Sequence, residues 1–180
     1  CDVVVSGAGA RYAASFVKIG LTADTGLLHT LPRRVGPGRA RALLLTAHAH
    51  AADATLYHPR PGLTTAGQPS AQQLRDAAAN GVTTVIDLRR ADEDRGYDEA
   101  ALAEQLGLRY VRLPIAGAGD ITDANARTLD QLLKQDSGKT LLHCASSNRA
   151  GALLSVIDAR VNGASTEDAL QFGRDAGMTS

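Results

Sequence analysis

The sequence predicts an α/β domain with a largely parallel central sheet flanked by helices. Three features carry that expectation. From residue 55 onward, short strand-like runs alternate with amphipathic helical ones. The helical runs open on capping residues and stop at glycine. The run at residues 82–88 (VTTVIDL) is rich in β-branched residues and reads as a buried strand.

The elements follow in order. Residues 63–66 form a short strand, stopped by Gly67-Gln68-Pro69. Ser70 and Gln73 have capping-box spacing and open a helix that runs to Asn80 and ends at Gly81. After the strand at 82–88, residues 97–106 are helical and stop at Gly107. Residues 108–114 alternate as a strand. Residues 122–135 are an amphipathic helix with Leu129, Leu132 and Leu133 on one face. A short strand covers residues 140–143, and an apolar helix covers 149–161. Ser165 and Asp168 cap a last short helix.

The first fifty residues are organised differently. They hold an apolar opening run (Val3-Val4-Val5), a second apolar run at 16–21, a Leu/Arg/Gly/Pro-rich stretch, and a helical run at 39–45. Residues 47–54 (AHAHAADA) read as a linker. Two domains are expected: a segment over residues 1–50 and a domain over residues 55–180.

Composition narrows the function. With 44% hydrophobic and 21% charged residues, a packed core is expected rather than disorder. Nineteen basic residues balance nineteen acidic ones, which argues against a nucleic-acid partner. No apolar run is long enough to span a membrane. Aromatics are only 3%, so the core must be built from Ala, Leu, Val and Ile. Two cysteines, Cys1 and Cys144, make no disulfide framework, and a reducing, cytoplasmic setting is expected. The chain starts without Met and without a charged leader, on what reads as mid-strand. A fragment or processed product is expected, with no signal peptide.

The chemistry concentrates at residues 141–151 (LLHCASSNRAG). A buried strand ends at Cys144, a loop of small residues follows, and Arg149 opens a helix. A loop running into a helix N-terminus turns backbone amides inward and adds positive potential, which together bind an oxyanion. The same field stabilises a thiolate, so Cys144 is expected to have a lowered pKa and to act as a nucleophile. Arg149 can hold two oxygens of one anion at once. The candidate phosphate-binding residues are Ala145, Ser146, Ser147, Asn148 and Arg149. His143 reads as orienting the loop rather than as a base.

This His-Cys-loop-Arg run after a strand resembles the cysteine-dependent phosphatases of the tyrosine and dual-specificity type. Those enzymes usually place five residues between Cys and Arg; here there are four. The four-residue form is similar to the bacterial phosphatase-like family named for its fusion to β-lactamase-like hydrolases. The segments 62–70 (GLTTAGQPS), 85–89 (VIDLR) and 110–115 (YVRLPI) support that resemblance. It implies a cysteine-phosphatase-like fold, a phosphocysteine intermediate, and a phosphorylated small molecule or phosphoprotein as substrate. It implies no metal and no organic cofactor, and the oligomeric state is left open. The resemblance also implies a general acid on a loop after an earlier strand. Asp120 fits that place and Asp123 is the alternate; capping of the helix near Thr122 is the other reading of Asp120. Ser147 stands where such phosphatases usually have glycine, and Ala150 where a hydroxyl often follows the Arg. Rhodanese-like sulfurtransferases share the four-residue loop, so a Cys144 persulfide carrier and a phosphate-binding module without turnover stay open as alternatives.

Residues 1–48 resemble a fragment of the enoyl-CoA hydratase/isomerase (crotonase) family, on Cys1–Val5, residues 16–26, residues 31–36 and the run at 39–46. Asp24 matches the base of isomerase members, while Phe16 falls on a glutamate position of the hydratases. Four weaker signals remain. Residues 3–9 hint at a dinucleotide loop, and His48 and His50 at a metal. Arg89-Arg90 reads either as a steering pair for an anion or as solvated charge. Residues 92–95 read as a solvated loop.

Overall fold

The computed structural model of the 180-residue chain describes residues 11–12, 27–35, 40, 44, 50–51, 54–93, 96–135 and 137–179. The chain divides into two units, residues 1–52 and 53–180.

In the first unit, strand β1 (Arg11–Tyr12) pairs antiparallel with β2 (His50–Ala51). The expected linker at 47–54 therefore contains a paired strand. Helix α1 (Leu27–Val35) forms in the Leu/Arg-rich stretch and carries Pro32 inside it. Of the helix expected at 39–45, Ala40 and Leu44 are described, and both are helical. The opening run at 3–5, the loop at 3–9, Asp24 and His48 lie outside the described residues.

The second unit is a five-stranded sheet with helices. Strand β3 (Leu56–Arg60) folds back on β4 (Leu63–Ala66) as an antiparallel hairpin. β3 was not expected from the sequence: it contains Pro59, and its exposed-and-covered alternation is that of an edge strand. Helix α2 (Ala71–Ala79) begins at the expected capping box. Ser70 Oγ accepts from the Gln73 amide at 3.2 Å, and Gln73 Oε1 accepts from the Ser70 amide at 3.1 Å. Strand β5 (Val82–Asp87) follows. Helix α3 (Glu99–Gln105) is capped by Asp98, and strand β6 (Arg109–Arg112) lies beside β5. A 3-10 turn (Ala118–Asp120) precedes helix α4 (Asp123–Gln135). Strand β7 (Lys139–His143), helix α5 (Asn148–Arg160) and helix α6 (Thr166–Asp175) complete the unit.

The sheet order is β3-β4-β7-β5-β6, parallel throughout except for β3. β7 is central. Its residues alternate between the two faces, as the period of a strand requires. Leu142 packs with Ile86, Leu129, Leu153 and Leu154 on one face; Leu141 packs with Val85, Leu74 and Ala103 on the other. In register, Ala66, His143 and Asp87 form one row at the C-terminal edge of the sheet. Cys144 is the next residue.

Candidate active site

β7 hands the chain straight into the cysteine loop. The Cys144 amide donates to the Ala66 carbonyl at 3.3 Å, and the Gln68 amide donates to the Ala145 carbonyl at 3.2 Å. Ser146 bridges to Gly67. The loop is thus zipped along one side to the segment leaving β4. A side chain at Gly67 would come within 3.0 Å of the Ala145 oxygen, so the two segments pass closely here. Cys144 is a buried thiol at the floor, below the exposed Ala145 and Ser146. Helix α5 starts four residues later. The first turn of a helix has amides with no carbonyl behind them, and in α5 that turn opens onto the loop carrying the thiol.

Arg149 is held from behind. Its Nη1 donates to Glu93 Oε1 and to the Ile115 carbonyl, and its Nη2 donates to Glu93 Oε2, each at 2.7 Å. The hydrogen bond from Arg149 lowers the Glu93 carboxyl below its usual range, and the same pair raises the Arg149 pKa. A guanidinium has five N–H groups. The two left over are Nε–H and one Nη2–H, the edge that reaches two oxygens of a single anion. Cys144 is among the groups that interact with Arg149. The sequence missed Glu93 by reading residues 92–95 as a solvated loop. One carboxylate of that run turns inward onto the arginine.

Asp120 lies in the loop between β6 and α4. Its Oδ2 accepts from the Ala116 amide at 2.7 Å, next to the Ile115 carbonyl that binds Arg149. The cap of α4 is Thr122, whose Oγ1 accepts from the Asn125 amide. Asp120 therefore does not cap that helix. Asp123 is 4.0 Å from Arg160 at the far end of α5, with both side chains mostly exposed. Roughly 18 Å of helix separates Arg160 from Asn148 at 1.5 Å per residue.

Behind the loop lies a cluster of buried charge that the sequence did not reveal. Arg89 donates to Asp87 through Nε at 2.8 Å and Nη2 at 3.0 Å, and Nη2 also binds Glu99 Oε2. Tyr110 donates to Asp87 Oδ2 at 2.7 Å. His143 Nε2 lies 2.8 Å from Glu99 Oε1 and 4.0 Å from Asp87 Oδ1. The 2.8 Å contact is off the line of a hydrogen bond, so the two buried atoms touch without a directed bond between them. Burial by itself would push the Asp87 carboxyl up. The Arg89 hydrogen bond, the His143 charge and Tyr110 outweigh it and hold the group well below the usual range. Arg89 is 1% exposed, so it steers no substrate. Arg90 is exposed and pairs with Asp92.

Asp87, Glu99 and His143 bring ligand-type atoms within 4.8 Å of one another. A metal does not fit them, because the Arg89 guanidinium already binds both carboxylates and would face the ion with a fixed positive charge. A cavity of about 770 Å³ lies elsewhere, lined by Leu63, Lys139 and Val82 at the opposite end of the strands. It is not part of this site.

Residues 50–178 match the family described as DSP-PTPase phosphatase fused to NAD+ kinase. The chain belongs to this phosphatase family. Residues 1–85 match the enoyl-CoA hydratase/isomerase family, further along the chain than the expected segment. In the overlap, Leu56–Arg60, Leu63–Ala66 and Ala71–Ala79 build the phosphatase sheet and its first helix. The chain is similar to the beta-lactamase hydrolase-like protein of Agrobacterium fabrum (strain C58), 30% identical over 123 residues. That match covers 64% of this chain but only 28% of the relative. The chain thus spans little more than a quarter of that curated relative.

Among solved structures, the phosphatase fold is shared with TpbA of P. aeruginosa, solved with phosphotyrosine. It is 26% identical with a TM-score of 0.56, over 73% of this chain and 87% of that one. A candidate phosphatase of Neisseria meningitidis z2491 has a TM-score of 0.58 at 21% identity, over 67% of this chain and 87% of that one. No helix among the described residues is long and apolar enough to cross a membrane.

Proposed function

We propose that residues 55–180 hydrolyse a phosphomonoester through a phosphocysteine on Cys144. The observation that carries this reading is the Arg149 guanidinium. Glu93 and the Ile115 carbonyl fix it, so its remaining N–H edge is offered beside a cysteine at the mouth of α5. Arg149 and the loop amides of Ala145, Ser146, Ser147 and Asn148 hold the equatorial oxygens. The Cys144 thiolate attacks phosphorus and the bond to the leaving oxygen breaks. Asp120 gives that oxygen its proton, then takes one from the water that attacks the phosphocysteine. Phosphate leaves and the thiolate returns. No step calls on a metal or an organic cofactor.

The substrate class is a phosphorylated protein or small molecule of the aryl type, a reading supported by the phosphotyrosine bound to TpbA. A reducing, cytoplasmic compartment belongs to the same proposal, since the mechanism needs a free thiol. Residues 1–50 are then a partial crotonase-like segment joined to the phosphatase. Steady-state hydrolysis of an aryl phosphate, run beside thiosulfate-to-cyanide sulfur transfer, tests the assignment. Sulfur transfer without phosphate release would replace it with the persulfide reading.

Two variants probe the roles. Asp120→Asn should lower kcat by roughly 100-fold for alkyl phosphates, within the range of general acid catalysis. It should change kcat little for aryl phosphates with good leaving groups, which depart without a proton. Equal losses on both classes would remove Asp120 from the chemistry. Glu93→Gln keeps one acceptor for Arg149 but removes the charge. A rise in KM of roughly three- to tenfold is expected, less than the roughly 1.5–3 kcal/mol of a full charged hydrogen bond, because the pair is partly solvated. An unchanged KM would mean Arg149 holds its place without Glu93.

A further inference from the structure

Ser147 is the one non-glycine residue with positive φ among the described residues, at φ 70° and ψ −15°. A side chain in the left-handed region costs roughly 1–2 kcal/mol. The residue is buried, and its hydroxyl does not behave as a cap. Ser70, Asp98 and Ser165 each accept a hydrogen bond from the first turn of their own helix. Ser147 stands at the same position before α5 and makes no such bond. Its Oγ donates instead to the Ala176 carbonyl at 2.8 Å, in the turn that follows α6. The neighbouring Asn148 also faces that turn, with Oδ1 accepting from the Thr179 amide at 3.0 Å. Gly177 passes so close that a side chain there would come within 2.7 Å of Ser147 Oγ.

We propose that Ser147 is a positioning residue for the oxyanion loop. Its left-handed backbone turns the loop into α5. The bond to Ala176 offsets the strain of that conformation and keeps the hydroxyl away from the helix mouth. The α5 amides are thereby left for the substrate rather than used by a cap. The turn at 176–179 is on this account a part of the loop's support. The proposal rests on the phosphatase reading and deepens it.

The test uses inorganic phosphate as the probe, measured as a competitive inhibitor of aryl phosphate hydrolysis, with the thermal midpoint recorded for each variant. Ser147→Ala keeps the strained side chain and loses the tie; phosphate inhibition should weaken by roughly tenfold, the equivalent of about 1.4 kcal/mol. Ser147→Gly loses the tie and the strain together, so inhibition should return to within about threefold of the starting protein. Thr65→Val is the control, because Thr65 Oγ1 donates to the same Ala176 carbonyl at 2.8 Å from outside the loop. It should lower the thermal midpoint and leave phosphate inhibition unchanged.

A purely structural hydroxyl predicts a different order of phosphate inhibition, with Gly no better than Ala, since a change in stability alone leaves the folded loop's affinity where it was. That order, or an Ala variant inhibited like the starting protein, overturns the proposal. If Ser147→Ala does not fold, the Gly variant decides: inhibition weakened tenfold there overturns it as well. A starting protein that neither hydrolyses aryl phosphate nor responds to phosphate fails the phosphatase reading itself, a distinct outcome.

Discussion

Cys144→Ser is expected to lower aryl phosphate hydrolysis by roughly 10⁴-fold or more, the scale of loss when a nucleophile is removed. The reason is nucleophilicity rather than shape. Sulfur attacks phosphorus far more readily than a serine hydroxyl, which is a weak nucleophile without a base beside it. The side chain is fully buried and the replacement is nearly isosteric, so the fold should be kept. Phosphate should still bind, because Arg149 and the loop amides are untouched. The check is kcat together with phosphate inhibition on the same preparation. Activity within about tenfold of the starting protein would mean that Cys144 is not the nucleophile. Loss of phosphate binding along with activity would mean that the substitution disturbs the loop instead.

The second large effect is on stability. Arg89→Met should destabilise the domain by about 3–5 kcal/mol, the cost of stripping one partner from buried ionic groups. Arg89 binds both Asp87 and Glu99, and all three side chains are out of reach of solvent. Without the guanidinium, two carboxylates face each other in a low-dielectric interior. Urea unfolding measures the loss. Replacing all three by apolar residues of similar volume should recover much of it, which separates the charge effect from packing.

The pH dependence has a definite sign. The Asp87 carboxyl lies well below its usual value in the folded chain. The unfolded chain therefore takes up this proton first as pH falls. The Asp87 contribution is complete above about pH 4, the ordinary aspartate value. It is lost as the pH falls from there toward the folded value. In Arg89→Met, the main hydrogen bonds that hold the carboxyl down are gone, so the acid limb of the stability curve should flatten.

Much of this arrangement was legible before the structure. The Ser70 capping box, the β-branched run of β5 and the Cys144–Arg149 spacing are local signals, and each marks its element within a residue or two. What failed was of another kind. Helix α1 and the edge strand β3 were not expected, and each contains a proline, Pro32 and Pro59. His50 and Ala51 look like linker until Arg11 and Tyr12 are beside them. Glu93, Glu99 and Arg89 are surface residues by composition; only the path of the chain turns them inward. One signal could have caught part of this. Asp87 and Arg89 are opposite charges two residues apart at the end of a buried strand, a spacing that puts both side chains on one face. The partner that completes the cluster, His143, comes from register between β5 and β7, which no local pattern encodes.

The position of β7 has a consequence for how the chain acquires its chemistry. β7 fills the slot between β4 and β5, two strands laid down much earlier in synthesis; Leu63 pairs with Thr140, and Val85 with Leu141. Such distant pairings carry a large loop-closure cost and form slowly. Until β7 enters, β4 and β5 each expose an edge, and the Leu141 and Leu142 places on the two faces are empty. The cysteine loop is the direct continuation of that strand. Insertion of one strand therefore closes the sheet and seats the cysteine loop against Ala66, Gly67 and Gln68 in the same event. In a growing or partly folded chain Cys144 has neither the Ala66 contact nor the mouth of α5 around it, and gains both when β7 docks.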